Sequence, residues 1–219
     1  IIVLKDLLED FSTQTKEQPP IFILAGGFGK RMAPLTDNVP KPMLKVGGIP
    51  LLEIIIERFR QQGFRDYFIA THYLSEQIKE YFLSGANKNI HINYLYEENP
   101  LGTAGSLSLL DDSYKFKNII VVNGDLLNKV DYNALYKFHI SQGAAITMAT
   151  KMYRHEIPYG VARYEESRLI KIDEKPKVNF QVNAGIYVIS KRVIQKFISN
   201  VEYLDMPNLI NELISKKEA

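Results

Sequence analysis

Two short apolar runs, IFILA (residues 21–25) and NIIVVN (residues 118–123), most narrow what this chain can fold into. A strand with one wet face alternates apolar and polar residues. Runs without that alternation suit strands covered on both faces, as in a parallel sheet between helices. The segments around them agree. PLLEIIIERFRQQG carries apolar residues at helical spacing, with Pro50 near its start and Gly63 as a stop. LSEQIKEYFL reads as a helix opened by Ser75, TAGSLSLL begins another, and DYNALYKFHISQG is a further one. DYFIAT, HINYLYEE and AAITMAT read as strands. Strands alternating with helices predict βαβ units and a mostly parallel sheet with right-handed crossovers. From Tyr159 the pattern changes: GVARYEE, RLIKIDEK and VNAGIYVIS follow one another with little helix between them, which predicts antiparallel pairing. VISKRVIQKFI and MPNLINELISKK close the pattern as helices. The fold class is therefore α/β, a mixed but mostly parallel sheet flanked by helices, with an antiparallel part.

The segment LAGGFGKRMAPLTDNVPKPMLKVGG (residues 24–48) follows the first strand and has neither helical nor strand periodicity. Long irregular loops in compact domains are uncommon unless functional, and in open parallel sheets ligands sit beyond the carboxyl ends of the strands. Gly26, Gly27 and Gly29 leave room for successive amides to turn inward around an anion. Lys30, Arg31, Lys41 and Lys45 put four cations in the same loop, more than one carboxylate could use and well suited to a triphosphate. Two familiar phosphate motifs do not fit. A P-loop needs Ser or Thr after its lysine, and here Arg31 follows Lys30. The dinucleotide fingerprint G-x-G-x-x-G fails at its third glycine, which is Met32.

The charge balance makes the cationic loop informative. Lys plus Arg exceed Asp plus Glu by only 27 − 25 = 2, so no global basic field points to DNA or RNA. There is no cysteine, which excludes thiolate chemistry and disulfides and fits a cytoplasmic setting. No apolar run is long enough for a membrane-spanning helix. His72, His91, His139 and His155 are scattered, and no Ser/His/Asp grouping accompanies them.

The loop also carries a resemblance. AGGFGKRMAPLT followed by VPKPMLKVGGIPLL is similar to the signature of the sugar-1-phosphate nucleotidyltransferases, the nucleotide-sugar pyrophosphorylases. Further matches follow in that family's order: PLGTAG at residues 100–105, NGD at 123–125, YGV at 159–161, EKP at 174–176 and NAG at 183–185. The resemblance runs from about Ile21 to the end. It implies the Rossmann-like nucleotide-diphospho-sugar transferase fold, Mg²⁺ as cofactor, and the reaction NTP + sugar 1-phosphate → NDP-sugar + pyrophosphate. The nucleophile there is a phosphate oxygen, largely ionised near neutral pH because a second phosphate pKa is about 6. No general base is needed, which agrees with the scattered histidines.

By the same resemblance, Arg31 and Lys41 hold the triphosphate and stabilise the leaving pyrophosphate, with Lys30 and Lys45 in supporting or solvated roles. Asp125, at the tip of the NIIVVNGD run, is the Mg²⁺ ligand. The backbone of Leu24, Ala25, Gly26 and Gly27, together with Gly29, Gly102 and Thr103, binds the nucleotide, and Glu97 reaches its base. Lys175 binds the sugar phosphate and Glu174 the sugar hydroxyls, with Gly160 and Asn183 as further contacts. PLGTAGSL is most similar to the guanylyltransferase branch, implying GTP with a hexose or amino-hexose 1-phosphate for surface polysaccharide. The alternatives are dTTP, UTP or CTP with glucose 1-phosphate, or a non-catalytic sensor of nucleotide sugars.

Residues 1–19, IIVLKDLLEDFSTQTKEQP, read as a linker or the tail of an upstream module, and resemble the end of a CBS module in CBS-linked bacterial relatives. Residues 20–219 then form the nucleotidyltransferase domain. The family's later W-x-D-I-G motif, source of a second metal carboxylate, has no counterpart in the chain, so the domain is expected to be truncated at its C-terminus. Asp205, in LDMPNLI, precedes a helix and reads as its cap. A homo-oligomer is a further expectation from the family.

Overall fold

The structure, a computed structural model, describes residues 18–199 and 201–218. Residues 1–17 of the expected upstream tail lie outside them. The elements run β1 (Ile21–Leu24), β2 (Lys45–Val46), β3 (Ile49–Pro50), α1 (Leu51–Gln61), β4 (Asp66–Thr71), α2 (Ser75–Phe82), β5 (His91–Tyr96), α3 (Gly102–Gly105) and β6 (Asn118–Asn123). They continue as α4 (Tyr132–Gln142), β7 (Ile146–Glu156), β8 (Val161–Glu165), β9 (Arg168–Asp173), β10 (Lys177–Ser190), α5 (Lys191–Phe197) and α6 (Met206–Ser215).

The central sheet has six strands in the order β5-β4-β1-β6-β10-β7. β5, β4, β1 and β6 are parallel, and β10 runs antiparallel to both β6 and β7. The expected class, mostly parallel with an antiparallel part, is the observed one. Strand alternation sorts the side chains into two cores. Ile21, Ile23, Tyr67, Ile69, Ile120, Val122, Ile186 and Val188 face one way, covered by α1, α2 and α4. Phe22, Phe68, Ala70, Ile119, Val121, Tyr187 and Ile189 face the other, covered by α5, α6 and the α3 region. Both faces are dry, and this is why the strands read as unbroken apolar runs.

Several boundaries depart from the sequence expectation. α2 begins at Ser75 without a side-chain cap, because Leu74 in the left-handed region takes the N-cap position. The TAGSLSLL helix is one short α turn followed by a 3-10 turn over Ser106–Leu109. β7 runs on to Glu156, well beyond AAITMAT. Its outer half pairs with the outer half of β10 as an exposed ribbon, and β8 and β9 form a separate hairpin beside it. The ribbon leaves the sheet at a register break between Asn183 and Tyr187. There Gly185 has φ +68, and its amide donates to Asn183 Oδ1 at 2.8 Å.

The strand order places the site. Chain progression from β1 goes one way to β4 and β5, then crosses back to β6 on the opposite side of β1. A crevice opens at the carboxyl ends of strands where the order reverses in this way.

Candidate active site

A cleft of about 520 Å³ occupies that crevice above the ends of β1 and β6. Leu24, Ala25, Gly26, Gly27, Gly29, Arg31, Lys41, Glu97, Gly102, Thr103 and Asp125 all line it. They come from four separated stretches, and the sheet brings them together. Gly160, Glu174, Lys175 and Asn183 do not line the cleft. Gly160 and Glu174 are neighbours on the exposed arm, since a Cβ on Gly160 would stand 3.1 Å from Glu174 Oε2. Lys175 follows with φ +45. Asn183 stands at the root of the arm, and Gly185 beside it would press a Cβ to 2.8 Å from Asn123 Nδ2 at the cleft.

One wall is the long loop after β1, held by short turns rather than by regular structure. Met32 N donates to Gly29 O at 2.8 Å, and Met43 N to Pro40 O at 2.7 Å. Gly29 needs its freedom: at φ +66 a Cβ would meet Thr36 Cγ2 at 2.8 Å, while the Thr36 hydroxyl donates to Gly29 O. Tyr73 Oη donates to Asp37 O at 2.6 Å and Gln77 Nε2 to Asn38 O at 2.9 Å, tying the outer loop to the start of α2. Pro42 and Met43 are buried, with Met43 in the α1 core. That anchor leaves Lys41 facing Asp125, and Lys41 Nζ forms an ion pair with Asp125 Oδ2. Each side chain is about one-third exposed, 32% and 32%, so a ligand can reach both. Arg31 is exposed and has no carboxylate partner among the described residues.

The floor is where β1 and β6 end. Gly124 N donates to Leu24 O at 2.8 Å, and a Cβ on Gly124 would lie 2.8 Å from that same oxygen. The close approach excludes a side chain and fixes Asp125 one residue beyond it. Asp125 fits a hard divalent ion in the manner of Mg²⁺, which commonly takes one or two carboxylates and completes its shell with substrate phosphates and water. Among the described residues no group of three or more His, Cys, Asp or Glu side chains is arranged as a self-sufficient metal cage.

The opposite wall is α3 with the residues before α6. Leu204 makes three backbone bonds to this stretch: Leu204 N donates to Leu101 O, and Ala104 N and Gly105 N donate to Leu204 O, all at 2.9 Å. Gly102, at φ +82, would put a Cβ 2.5 Å from Leu204 O. Thr103 and Asp205 complete the seam. Asp205 Oδ1 accepts from Thr103 N at 3.1 Å and from Thr103 Oγ1 at 3.2 Å, while that hydroxyl accepts from Met206 N at 2.8 Å. Asp205 thus holds the N-cap position expected for it, but its side chain caps α3 across the cleft wall instead of its own helix. Burial pulls the Asp205 carboxyl up; hydrogen bonds from Thr103 and from Tyr203 outweigh it and leave the group below its ordinary value.

Glu97 is buried at 6% exposure, with Oε2 accepting from Leu101 N and Oε1 from Ser106 Oγ. His72 Nδ1 meets Glu97 O at 2.7 Å, a local structural bond. His139 lies between α4 and the sheet, its ring nitrogens beside Thr147 Oγ1 and Asn118 Oδ1, and burial lowers its pKa to about 4. Sequence reasoning placed neither Tyr203 nor Asp205 at the cleft, although both line it. The DMP tripeptide signals a helix start, and nothing local says which wall that start will join.

The polarity of the cleft is therefore divided. Lys30, Arg31 and Lys41 stand on the loop wall, and Asp125 on the floor. Asp205 lies on the α3–α6 seam, and Glu97 sits between, bonded to Leu101 and Ser106 with its Oε1 3.2 Å from where a Cβ on Gly26 would stand. A polyanion can be held at one end and a hydrogen-bond donor at the other.

Comparisons with known proteins agree with this geometry. The family model described as nucleotidyl transferase matches residues 21–217. The chain is 32% identical over 197 residues to a D-glycero-alpha-D-manno-heptose 1-phosphate guanylyltransferase from Aneurinibacillus thermoaerophilus, covering 89% of this chain and 85% of that protein. It is 33% identical to a mannose-1-phosphate guanylyltransferase from Mycobacterium tuberculosis and 32% identical to a UTP–glucose-1-phosphate uridylyltransferase from Synechocystis. These matches cover 80% and 83% of this chain, which spans about half the length of those two relatives, 49% and 51%. The crystal structure of HddC from Yersinia pseudotuberculosis complexed with GMP-PN shares the fold, with a TM-score of 0.67 at 22% identity, covering 86% of this chain and 83% of that one. With a glycine-rich loop, its cations and a strand-tip aspartate assembled at the switch point, the chain belongs to the nucleotidyl transferase family, among its sugar-1-phosphate nucleotidyltransferases.

Proposed function

We propose that the chain transfers a guanylyl group from GTP to a hexose or amino-hexose 1-phosphate and releases pyrophosphate. The observation that carries the reading is the Lys41–Asp125 pair at the end of β6, opposite the glycine-rich loop in one cleft. The amides of residues 26–29 face the triphosphate, with Arg31 and Lys41 beside its β and γ groups. A sugar-phosphate oxygen attacks the α-phosphorus in line. The bond from that phosphorus to the oxygen bridging to the β-phosphate breaks, and its electron pair leaves with pyrophosphate. Positive side chains fixed where this charge grows stabilise the transition state more than the ground state. When bound at Asp125, Mg²⁺ supplies further neutralisation of the phosphate oxygens. Lys41 and Asp125 neutralise each other before substrate arrives; each finds an opposite charge afterwards, so neither is left unpaired in the cleft.

GTP is favoured by the PLGTAGSL segment and by the two guanylyltransferases among the relatives. The sugar-phosphate half belongs to Lys175, Glu174, Gly160 and Asn183 on the arm and at its root, which requires the arm to approach the cleft when substrate is bound. The second reading, UTP with glucose 1-phosphate, has the cyanobacterial relative in its favour. A pyrophosphate-release assay over five NTPs and several hexose 1-phosphates with Mg²⁺ separates them. The best turnover is expected with GTP; best turnover with UTP and glucose 1-phosphate overturns the base assignment. No turnover with any pair, with a nucleotide sugar bound more tightly than any NTP in calorimetry, supports the sensor reading instead.

A further inference from the structure

The wall opposite the cations carries a carboxylate that the reaction does not use. Asp205 lines the cleft from the seam between α3 and α6, far in sequence from the phosphate loop. Its Oδ1 already accepts two hydrogen bonds, from Thr103 N and Thr103 Oγ1. Its Oδ2 accepts one, from Tyr203 Oη at 2.9 Å. An ionised carboxylate offers about four acceptor sites, so Oδ2 keeps a lone pair open. The group is also rigidly placed. Thr103 and Tyr203 hold it from two sides, and Gly102 lets Leu204 pack against α3 without a gap.

The bases differ in what they show such an acceptor. Guanine carries an exocyclic amino group at N2 next to a ring N–H, both donors, whereas adenine shows one amino donor flanked by acceptors. Uracil and thymine set a single N–H between two carbonyl oxygens, which a carboxylate repels. Glu97, a further acid of the cleft, accepts one bond at each oxygen, from Leu101 N and Ser106 Oγ, and is only 6% exposed, so burial keeps it from presenting an open edge while it adds negative potential.

We propose that Asp205 reads the base, its free Oδ2 lone pair accepting from the guanine 2-amino group and so selecting a 2-aminopurine nucleotide. The inference rests on the GTP reading and assigns its selectivity to one side chain. Asp205 acts on binding and takes no part in phosphoryl chemistry.

The test is calorimetric titration of the full chain with GTP, ITP, ATP and UTP in Mg²⁺, for wild type, Asp205→Asn and Tyr203→Phe. ITP keeps the guanine ring N–H and carbonyl but lacks the 2-amino group. Wild type is expected to bind GTP about 10- to 100-fold more tightly than ITP, the range for one charge-assisted hydrogen bond. Asp205→Asn keeps an oxygen for Thr103 and should bring GTP and ITP to within about threefold. Tyr203→Phe retains the carboxylate and frees a second lone pair, so it should keep the full preference; it also shows that loosening the seam does not by itself erase selectivity. If Asp205→Asn, with an unchanged melting temperature, still prefers GTP tenfold, the inference is overturned while the GTP reading stands. If wild type binds UTP best, the GTP reading itself fails.

Discussion

Replacing Gly102 with alanine strains the seam that closes one wall of the cleft. The backbone there has φ +82, a conformation that costs an L-residue roughly 1–2 kcal/mol. The added Cβ would also stand 2.5 Å from Leu204 O, a backbone atom that cannot rotate away. Leu204 must retreat, and three hydrogen bonds join it to α3: its own amide to Leu101 O, and Ala104 N and Gly105 N to its carbonyl. At about 1 kcal/mol net for each bond lost, strain and bonds together predict a destabilisation of about 4–5 kcal/mol. Urea unfolding followed by circular dichroism measures it, with Gly27→Ala as the comparison. A Cβ on Gly27 meets nothing within 4 Å, so that variant should stay within about 0.5 kcal/mol of wild type. Nucleotide affinity then separates the two walls: Gly27→Ala should weaken binding by crowding the phosphate amides, with stability intact. If Gly102→Ala unfolds at the wild-type urea concentration, the seam is not what the glycine serves.

Lys41→Ala and Asp125→Asn should each lower kcat about 10²- to 10³-fold and change stability by less than about 1 kcal/mol, since their pair is one-third exposed; steady-state kinetics beside thermal unfolding checks both halves. Lys175→Ala should raise KM for the sugar phosphate roughly tenfold while calorimetry finds NTP binding unchanged, because its ammonium sits on the arm and not in the cleft. Buried His139 has a pKa depressed to about 4, below its ordinary 6.5, so the unfolded chain takes up a proton first as the solution is acidified. Its contribution, on the order of 3 kcal/mol, is present above about pH 6.5 and lost as pH falls toward 4. Urea unfolding across that range should show a steeper acid limb in wild type than in His139→Gln, and equal slopes would refute the assignment.

Much of this molecule could be read along the chain because its defining signals are local. An apolar run such as residues 119–122 states that both faces of a strand are covered, and Pro50 and Gly63 bracket α1 through their own backbone preferences. The glycines and cations of residues 26–31 mark a candidate anion site for the same reason, since φ freedom and charge belong to single residues. Other features depend on which segments meet. The strand order puts Asp125 across from Gly26, and the buried Met43 anchor makes Lys41 its partner, 84 positions away along the chain. Asp205 reads as a cap and is one, but packing decided that it caps α3 and faces the cleft. The outer halves of β7 and β10 could not be foretold from alternation alone, because the register break after Asn183 contains Gly185 at φ +68, where a side chain would collide with Asn123 of another strand. The sequence by itself determined the layers, the glycine- and cation-rich loop and the chemical family, through preferences carried residue by residue. The tertiary structure decided which distant side chains share the cleft, because only the sheet order converts separation along the chain into contact.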